Sequence, residues 1–408
     1  MLATRLHPIV NTFSAHSVGL RAKGLRVVAF SGNYNYVRDG ANQALNNLVA
    51  FLVAEGADVR VYSATSDTPA FEPAGTLVSV PSVSIPGRAE YRVARPLPDR
   101  LRREIAAFEP HLFHLAAPDP LGHSAKKLAK KLGVPVVASV HTRFETYFEY
   151  YGFGWARPAG EAILKRFYAG LDEIFVTSPG FGEMLRDQGQ IAHFATWSRG
   201  VDKARFNPGR RNLAWRQGLG IADEDVVIGF VGRLVLEKGL DMVAAAVGEL
   251  KRRGVPHRLL VVGEGPARAR FEEQVPDAVF TGFLQGDALA TAFASVDMLL
   301  NPSVTETFGN INIEAMASGI PVVAAAASGS MCILEEGVTG RLVPPSDVMG
   351  FADDLQGWLL DHEARLAAGR AGLEAAKSYD WKAINGAVLA RYLEIVAAHA
   401  QANSKLNP

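Results

Sequence analysis

Short apolar runs alternate with amphipathic stretches along most of the chain. Residues 25–30 (LRVVAF) form a run of the kind buried on both faces of a sheet; a polar segment, 31–40 (SGNYNYVRDG), follows, then a helical pattern from 41 to about 55 and a second run at 59–63. That strand, helix, strand order predicts a parallel α/β sheet. Further strands are expected at 77–80, 112–115, 134–140 and 173–177, with helices at 99–108 and 124–132, so the first half reads as one doubly wound domain. After a stretch with Gly and Pro punctuation at 199–209, the pattern restarts: strands at 226–231, 258–262, 279–281, 298–300 and 322–325, a loop at 232–239 and a helix at 240–253. A second domain of the same kind follows from it. A last helix, from 381 to about 399, is long enough to pack back across both. The expected division is a leader at 1–24, a first domain at 25–199, a second at 209–379 and a C-terminal helix and tail at 380–408.

Composition adds limits. A chain of 408 residues, 48% hydrophobic and 21% charged, fits two globular domains. No apolar run approaches the ~18 residues of a membrane span, and a soluble or peripheral cytoplasmic protein is expected. The single cysteine, Cys332, fits a reducing compartment; its neighbours Met331, Ile333 and Leu334 suggest buried packing. The formal net charge of zero hides an asymmetry: residues 1–200 carry 22 Lys and Arg against 17 Asp and Glu. That excess is too small for nucleic-acid binding but suits anionic lipid headgroups at the inner face of a membrane. Residues 1–24 hold Arg5, Arg21 and Lys23, no acid, and no signal-peptide core.

The chemistry gathers in VTETFGNINIEAMASGIP, residues 304–321, between an apolar strand and a helix that stops at Gly319. Its acids, Glu306 and Glu314, bracket a glycine-containing loop whose free amides and helix N-terminus favour an anion, while carboxylates suit hydroxyls. A nucleotide-sugar carries both. Equally, Glu306 can be a surface acid and Glu314 a complement to the helix dipole. The loop after strand 226–231 holds Gly232, Arg233 and Lys238 ahead of a helix, either a diphosphate clamp or two exposed cations. Asp223, Glu224 and Asp225 have a metal-binding spacing but precede a strand, so they read as a solvated turn, and no metal is expected. The first loop lacks G-x-G-x-x-G, leaving Gly40 as a plain turn or a point of close approach. His141 follows strand 134–140 at its carboxyl end, the ligand side of such sheets. The next segment, RFETYFEYYGFGW, holds seven aromatics, Tyr147, Tyr151 and Trp155 among them: an amphipathic wall for a sugar or acyl chain, or core under a loop. Lys126, Lys127, Lys130 and Lys131 cluster on the helix at 124–132, as a membrane-facing surface or a solvated one.

Taken together, VGRLVLEKGLD, VVGEGP, FTGFLQGDALATAFASVDMLLNPSVTETFGNINIEAMASGIPVVA and GVTGRLVPP resemble, in order and spacing, the retaining GT-B glycosyltransferases of family four. The match covers the second half and continues through DGAN, SIPGRAEYR, VASVHTRFETY and RGVDKARFNP in the first. It looks closest to the sulfoquinovosyl-diacylglycerol synthases and related glycolipid enzymes. The resemblance implies two Rossmann-like domains facing a cleft, the C-terminal helix crossing back to the first, with hinge closure near residues 199–209. It implies that Arg233 and Lys238 bind the diphosphate, that Glu306 and the amides of Thr307, Phe308, Gly309 and Asn310 hold the donor sugar, and that Glu314 takes the ribose hydroxyls. His141 would sit near the reaction centre, Gly40 would let the diphosphate approach the first domain, and Gly232 and Gly263 join the donor-binding positions. Asn312 departs from the family pattern, where that position is hydrophobic.

The function so implied is front-face transfer, with retention, from a UDP-sugar to a lipid such as diacylglycerol or ceramide, without metal. The aromatic segment, the lysine helix and a basic loop at 88–103 motivate the lipid. A soluble transferase acting on a sugar, polyol or polysaccharide is the alternative, and a sugar-nucleotide epimerase or a phosphorylase comes after it. Arg143 stands two residues after His141 and could pair with an acidic donor such as UDP-glucuronate or UDP-sulfoquinovose, or with Glu145 or Glu149. If an acidic donor is used, Arg143→Leu lowers kcat/KM far more with that donor than with UDP-glucose; equal losses with both dismiss the idea.

Overall fold

The computed structural model describes residues 22–36, 40–85, 88–141, 155 and 157–406. The chain forms two compact units that divide between Ser198 and Arg199 and again between Asp380 and Trp381, the C-terminal segment belonging with the first half. Arg143, Tyr147 and Tyr151 lie outside the described residues, as do residues 1–21.

The first unit runs β1 (Arg26–Ser31), α1 (Gly40–Ala54), β2 (Asp58–Ser63), β3 (Thr76–Ser79), β4 (Ser82–Ile85), β5 (Arg88–Ala94), α2 (Asp99–Phe108), β6 (Leu112–Leu115), α3 (Pro120–Leu132), β7 (Val136–Val140), α4 (Arg157–Tyr168), β8 (Glu173–Val176), α5 (Pro179–Asp187) and β9 (Ala195–Thr196). Its seven-stranded sheet has the order β3-β2-β1-β6-β7-β8-β9, every pairing parallel. Successive residues of a strand face opposite sides, so Val28 and Phe30 join one apolar cluster while Val27 and Ala29 join the other. Burial on both faces is why these strands read as unbroken apolar runs. Segment 88–103, expected as a basic loop, instead forms β5, paired antiparallel with β4, and the start of α2. The arginines of RAEYRVA masked the strand.

The second unit contains α6 (Leu213–Gly218), β10 (Val227–Val231), α7 (Leu240–Arg252), β11 (Arg258–Val262), α8 (Arg268–Gln274), β12 (Val279–Gly282), α9 (Gly286–Ser295), β13 (Met298–Asn301), α10 (Asn310–Ala317), β14 (Val322–Ala325), α11 (Ser328–Met331), β15 (Gly340–Val343), α12 (Val348–Leu360) and α13 (His362–Ala376). The sheet order is β12-β11-β10-β13-β14-β15, again parallel. Val227 and Val231 face one cluster, Ile228 and Phe230 the other. Buried Arg216 donates to Asp297 Oδ2 at 3.2 Å and to the carbonyl of Asp225 at 2.6 Å, which locks α6 to the start of this sheet.

The chain ends in α14 (Trp381–Leu406), which packs on α1 in the first unit. Polar groups along its length fix it there. Tyr392 hydrogen-bonds His114 Nδ1, and His114 Nε2 shares a hydrogen bond of 2.8 Å with Ser139 Oγ. Arg391 Nε donates to buried Glu173 at 2.7 Å, Trp197 Nε1 donates to Asn385 Oδ1 at 3.2 Å, and His399 Nε2 meets the carbonyl of Gly133 at 2.8 Å. Burial holds the His114 imidazole down to about 3, so the neutral ring belongs to the folded state. This anchor is complete above the ordinary histidine value of 6.5 and weakens as pH falls from there toward 3. Tyr392→Phe leaves a buried ring nitrogen without its hydroxyl and is expected to cost about 1–3 kcal/mol, read from urea unfolding at neutral pH. An unchanged midpoint would remove His114 and Tyr392 from the anchors of α14.

Candidate functional site

In an open parallel sheet the loops at the carboxyl ends of the strands collect ligands, because elsewhere the strands are covered. In the second unit the loops after β10, β11 and β13 carry the expected residues. The first two are joined backbone to backbone: Gly232 N–H donates to Val262 O at 3.0 Å and Leu234 N–H to Glu264 O at 2.9 Å. Gly263 has φ +146°, and a Cβ there would lie 1.9 Å from Gly232 O. Only glycine allows that approach, which gives Gly263 a structural reason to be fixed. Arg233 is exposed, and its guanidinium has no hydrogen-bond or ion-pair partner among the described residues. Lys238 closes a single 3₁₀ turn, Leu236–Lys238, before α7.

Lys238 Nζ forms an ion pair with Glu306 Oε1, each side chain about one-quarter exposed. Two positions implied to hold different parts of one ligand therefore hold each other's charge. Gly329 stands against the Glu306 loop so closely that a Cβ would meet Glu306 O at 2.5 Å, and Ser328 Oγ donates to the same carbonyl at 3.4 Å. Gly309, at φ +85°, caps α10, whose first amides have no intrahelical acceptor. Phe308 is buried and meets Tyr379 edge to face at 6.1 Å, so its ring belongs to the core and only its backbone borders the loop. Thr307 and Asn310 are half-buried beside it.

Asn312 is fully buried and ties the loop down. Asn301 Nδ2 donates to its Oδ1 at 2.8 Å, and its own Nδ2 donates to Ser330 Oγ at 3.2 Å, which joins β13, α10 and α11. A polar side chain at that position thus has satisfied partners. Glu314 keeps a little open surface but is enclosed by protein on most sides. Burial, with Glu306 adding to it and Arg205 opposing, pushes its carboxyl up to about 8. At neutral pH it is a carboxylic acid able both to donate and to accept, which suits a diol better than a cation.

In the first unit His141 directly follows β7, half-buried, its ring 5.2 Å from that of Trp197. Trp197 is in turn held by Asn385 of α14. Gly40 opens α1 after the β1 loop. Asp119, which the pattern did not single out, caps α3 by accepting from Gly122 N–H at 2.7 Å, and burial pushes it up to about 6. The lysine cluster divides. Lys126 donates to the carbonyls of Phe167 at 2.6 Å and Ala169 at 2.7 Å, closing the end of α4, so its ammonium is already engaged; Lys127, Lys130 and Lys131 are exposed. Trp155 is 82% exposed. Cys332 is half-buried rather than buried, its Sγ 3.0 Å from the Gly329 carbonyl. Asp223 accepts from Gln217 and Asp225 from Ala222 N–H, as turn residues do. Among the described residues no group of three or more His, Cys, Asp or Glu is placed to hold a metal ion.

Two open parallel sheets of this kind define a GT-B glycosyltransferase architecture. The sucrose-phosphate synthase of Thermosynechococcus elongatus shares it, with a TM-score of 0.74 over 92% of this chain and 100% of that one at 21% identity, and so does WaaG, a glycosyltransferase involved in lipopolysaccharide biosynthesis, at 0.68 over 89% and 98% with 19% identity. Residues 38–205 match the family described as Glycosyltransferase Family 4, and residues 225–361 that described as Glycosyl transferases group 1. A GDP-mannose-dependent alpha-mannosyltransferase of Corynebacterium glutamicum is 33% identical over 79% of this chain and 76% of its own, and the sulfoquinovosyl transferase SQD2 of Arabidopsis thaliana is 33% identical over 84% and 68%. The chain belongs to this glycosyltransferase family and is a glycosyltransferase.

Glu314→Gln removes a carboxyl that the folded protein holds protonated while the unfolded chain releases its proton near the ordinary 4.5. Wild-type stability therefore falls as pH rises between those values, and the variant escapes the loss. Thermal melts should show equal stability near pH 4 and an advantage for Glu314→Gln that grows to about 1–3 kcal/mol by pH 8; an offset constant with pH contradicts the raised carboxyl.

Proposed function

We propose that this glycosyltransferase moves a sugar from a UDP-sugar to a membrane lipid such as diacylglycerol or ceramide, with retention at the anomeric carbon. The observation that carries the donor half is the Lys238–Glu306 pair beside neutral Glu314, at the mouth of α10, with the unpaired cation of Arg233 in the neighbouring loop. A diphosphate displaces Glu306 from Lys238, so that Lys238 exchanges one anion for another, while Arg233, unpaired beforehand, gains one. Glu306, released, accepts from sugar hydroxyls, the amides of Thr307, Phe308, Gly309 and Asn310 face the same ligand, and Glu314 pairs with the ribose diol.

The bond from the anomeric carbon to the diphosphate breaks as the acceptor oxygen approaches the same face. The acceptor's proton passes to the leaving phosphate oxygen, and no enzyme nucleophile enters. Arg233 and Lys238 stabilise the charge that grows on the leaving group, the role a divalent cation would otherwise take; transfer is expected to persist in EDTA. His141, ending β7 in the first unit, is assigned to the sugar near the reacting carbon, and Gly40 to the close approach of the diphosphate.

The lipid half rests on the relationship to a sulfoquinovosyl transferase and on the apolar side chains left open in the first unit, Trp155 at 82% and Ile163 at 55% exposed. No helix among the described residues is long and apolar enough to cross a membrane. A second donor reading, a GDP-sugar, is favoured by the mannosyltransferase relative, whose name specifies GDP-mannose. Incubation with a panel of UDP- and GDP-sugars and extracted membrane lipids, followed by mass analysis, separates the readings: a glycolipid formed from one donor class names the donor, while products on soluble sugars or polyols alone overturn the lipid acceptor. Glu306→Ala and Lys238→Ala are each expected to lower transfer at least roughly a hundredfold with the fold intact by circular dichroism. Near-normal turnover in both would reject the site.

A further inference from the structure

The first unit has chemistry at both edges of its sheet. At the amino edge, opposite the one that carries His141, the C-terminal ends of α3 and α4 converge below the starts of β7 and β8. A cavity of about 560 Å³ opens there, walled by His123, Lys126, Lys127, Lys130 and Arg166 over a floor of Val134 and Val136. One carboxylate, Asp172, lines it, and that group is engaged: its Oδ2 accepts from Val136 N–H at 2.7 Å. Lys126 is engaged as well, on the carbonyls that end α4. Lys127, Lys130 and Arg166 have no acidic partner among the described residues.

Cations at helix C-termini have an ordinary explanation, since each helix end carries roughly half a negative charge. Here that explanation falls short. Two helix ends supply about one negative charge, and Asp172 supplies another. Against these stand the four cations Lys126, Lys127, Lys130 and Arg166. About two positive charges remain uncompensated in one concave place. The crowding is felt locally: burial first, then Lys126, Lys127 and Arg166, hold His123 below its ordinary value, and Lys126 is lowered by burial and by Lys130. A ligand with two negative charges and several acceptor oxygens relieves that repulsion. A phosphate monoester carries about −1.5 to −2 at neutral pH and three acceptor oxygens, and Arg166 can meet two of them in parallel.

We infer that this cavity binds a phosphate monoester, at a site separate from the donor loops of the second unit. Lys127, Lys130 and Arg166 contact the phosphate, Lys126 contributes field from its fixed position, and Val134 and Val136 form an apolar wall for whatever the phosphate is attached to. The same chemistry occurs in a soluble phosphate ester and in the headgroup of phosphatidate. The inference does not rest on the proposed acceptor, because the cavity lies at the sheet edge away from His141.

Full-length protein is titrated calorimetrically with inorganic phosphate and with glycerol 3-phosphate, and sedimented with phosphatidylcholine vesicles with and without phosphatidate. The triple variant Lys127→Ala/Lys130→Ala/Arg166→Ala is compared with a control that removes the same charge elsewhere, Lys251→Ala/Arg252→Ala/Arg270→Ala. Saturable binding that weakens at least roughly tenfold in the first variant and persists in the control is expected, since the substitutions remove charge-assisted hydrogen bonds to the phosphate. Binding of the soluble probes identifies a free phosphate ester as the ligand, and binding only of phosphatidate vesicles identifies the lipid headgroup. No binding to any probe, or equal weakening in both variants, overturns the site. UDP binding, measured in parallel, belongs to the donor loops and reports separately on the proposed function.

Discussion

A parallel strand covered by helices on both faces can present polar chemistry only at its ends. That constraint governs both units. The central strands of the second sheet are mostly apolar, and Gly232, Arg233, Lys238, Gly263 and Glu306 lie where strands give way to loops. Buried interiors make the loops costly to misplace, since their backbone groups must find partners close to the sheet. The cross-links between Gly232 and Val262, and between Leu234 and Glu264, meet that demand and hold the two loops in register.

Glycine and asparagine do most of the positioning at this edge. Gly263 and Gly329 are places where another backbone occupies the space a side chain would need, so neighbouring loops can touch without bending. Asn312 supplies the complementary function, a buried amide that satisfies Asn301 on one side and Ser330 on the other. On this frame Glu306 and Glu314 differ in kind. Glu306 is matched to Lys238, while Glu314 is enclosed without an equal partner and keeps its proton. One acid is charge-paired and the other is held neutral by enclosure, although both border the same loop.

The first unit distributes its polar groups differently. His114, Glu173, Trp197 and the carbonyl of Gly133 serve to seat α14, and Asp119 serves to start α3. What remains over is charge at the amino edge, where cations exceed what the helix ends and Asp172 can balance.

Much of the architecture was legible in the residue order. Runs such as RVVAFS, VIGFV and RLLVV are apolar because parallel strands are buried on both faces, and the helix of 304–321 ends near its left-handed Gly319. Spacing left Arg233, Lys238, Glu306 and Glu314 open to plainer readings, and the resemblance to the family singled them out. Local pattern was weaker where basic residues crowd a short strand, as in β5, and silent where a side chain turns onto neighbouring carbonyls, as with Lys126. The sequence by itself determined the two α/β sheets and the loops that carry chemistry, because burial and chain reversal leave a local periodic mark. Only the tertiary structure decided that Lys238 pairs with Glu306, that Glu314 holds its proton, that Asn312 is a brace and that four cations share one cavity, because these depend on distances between residues that the chain itself keeps far apart.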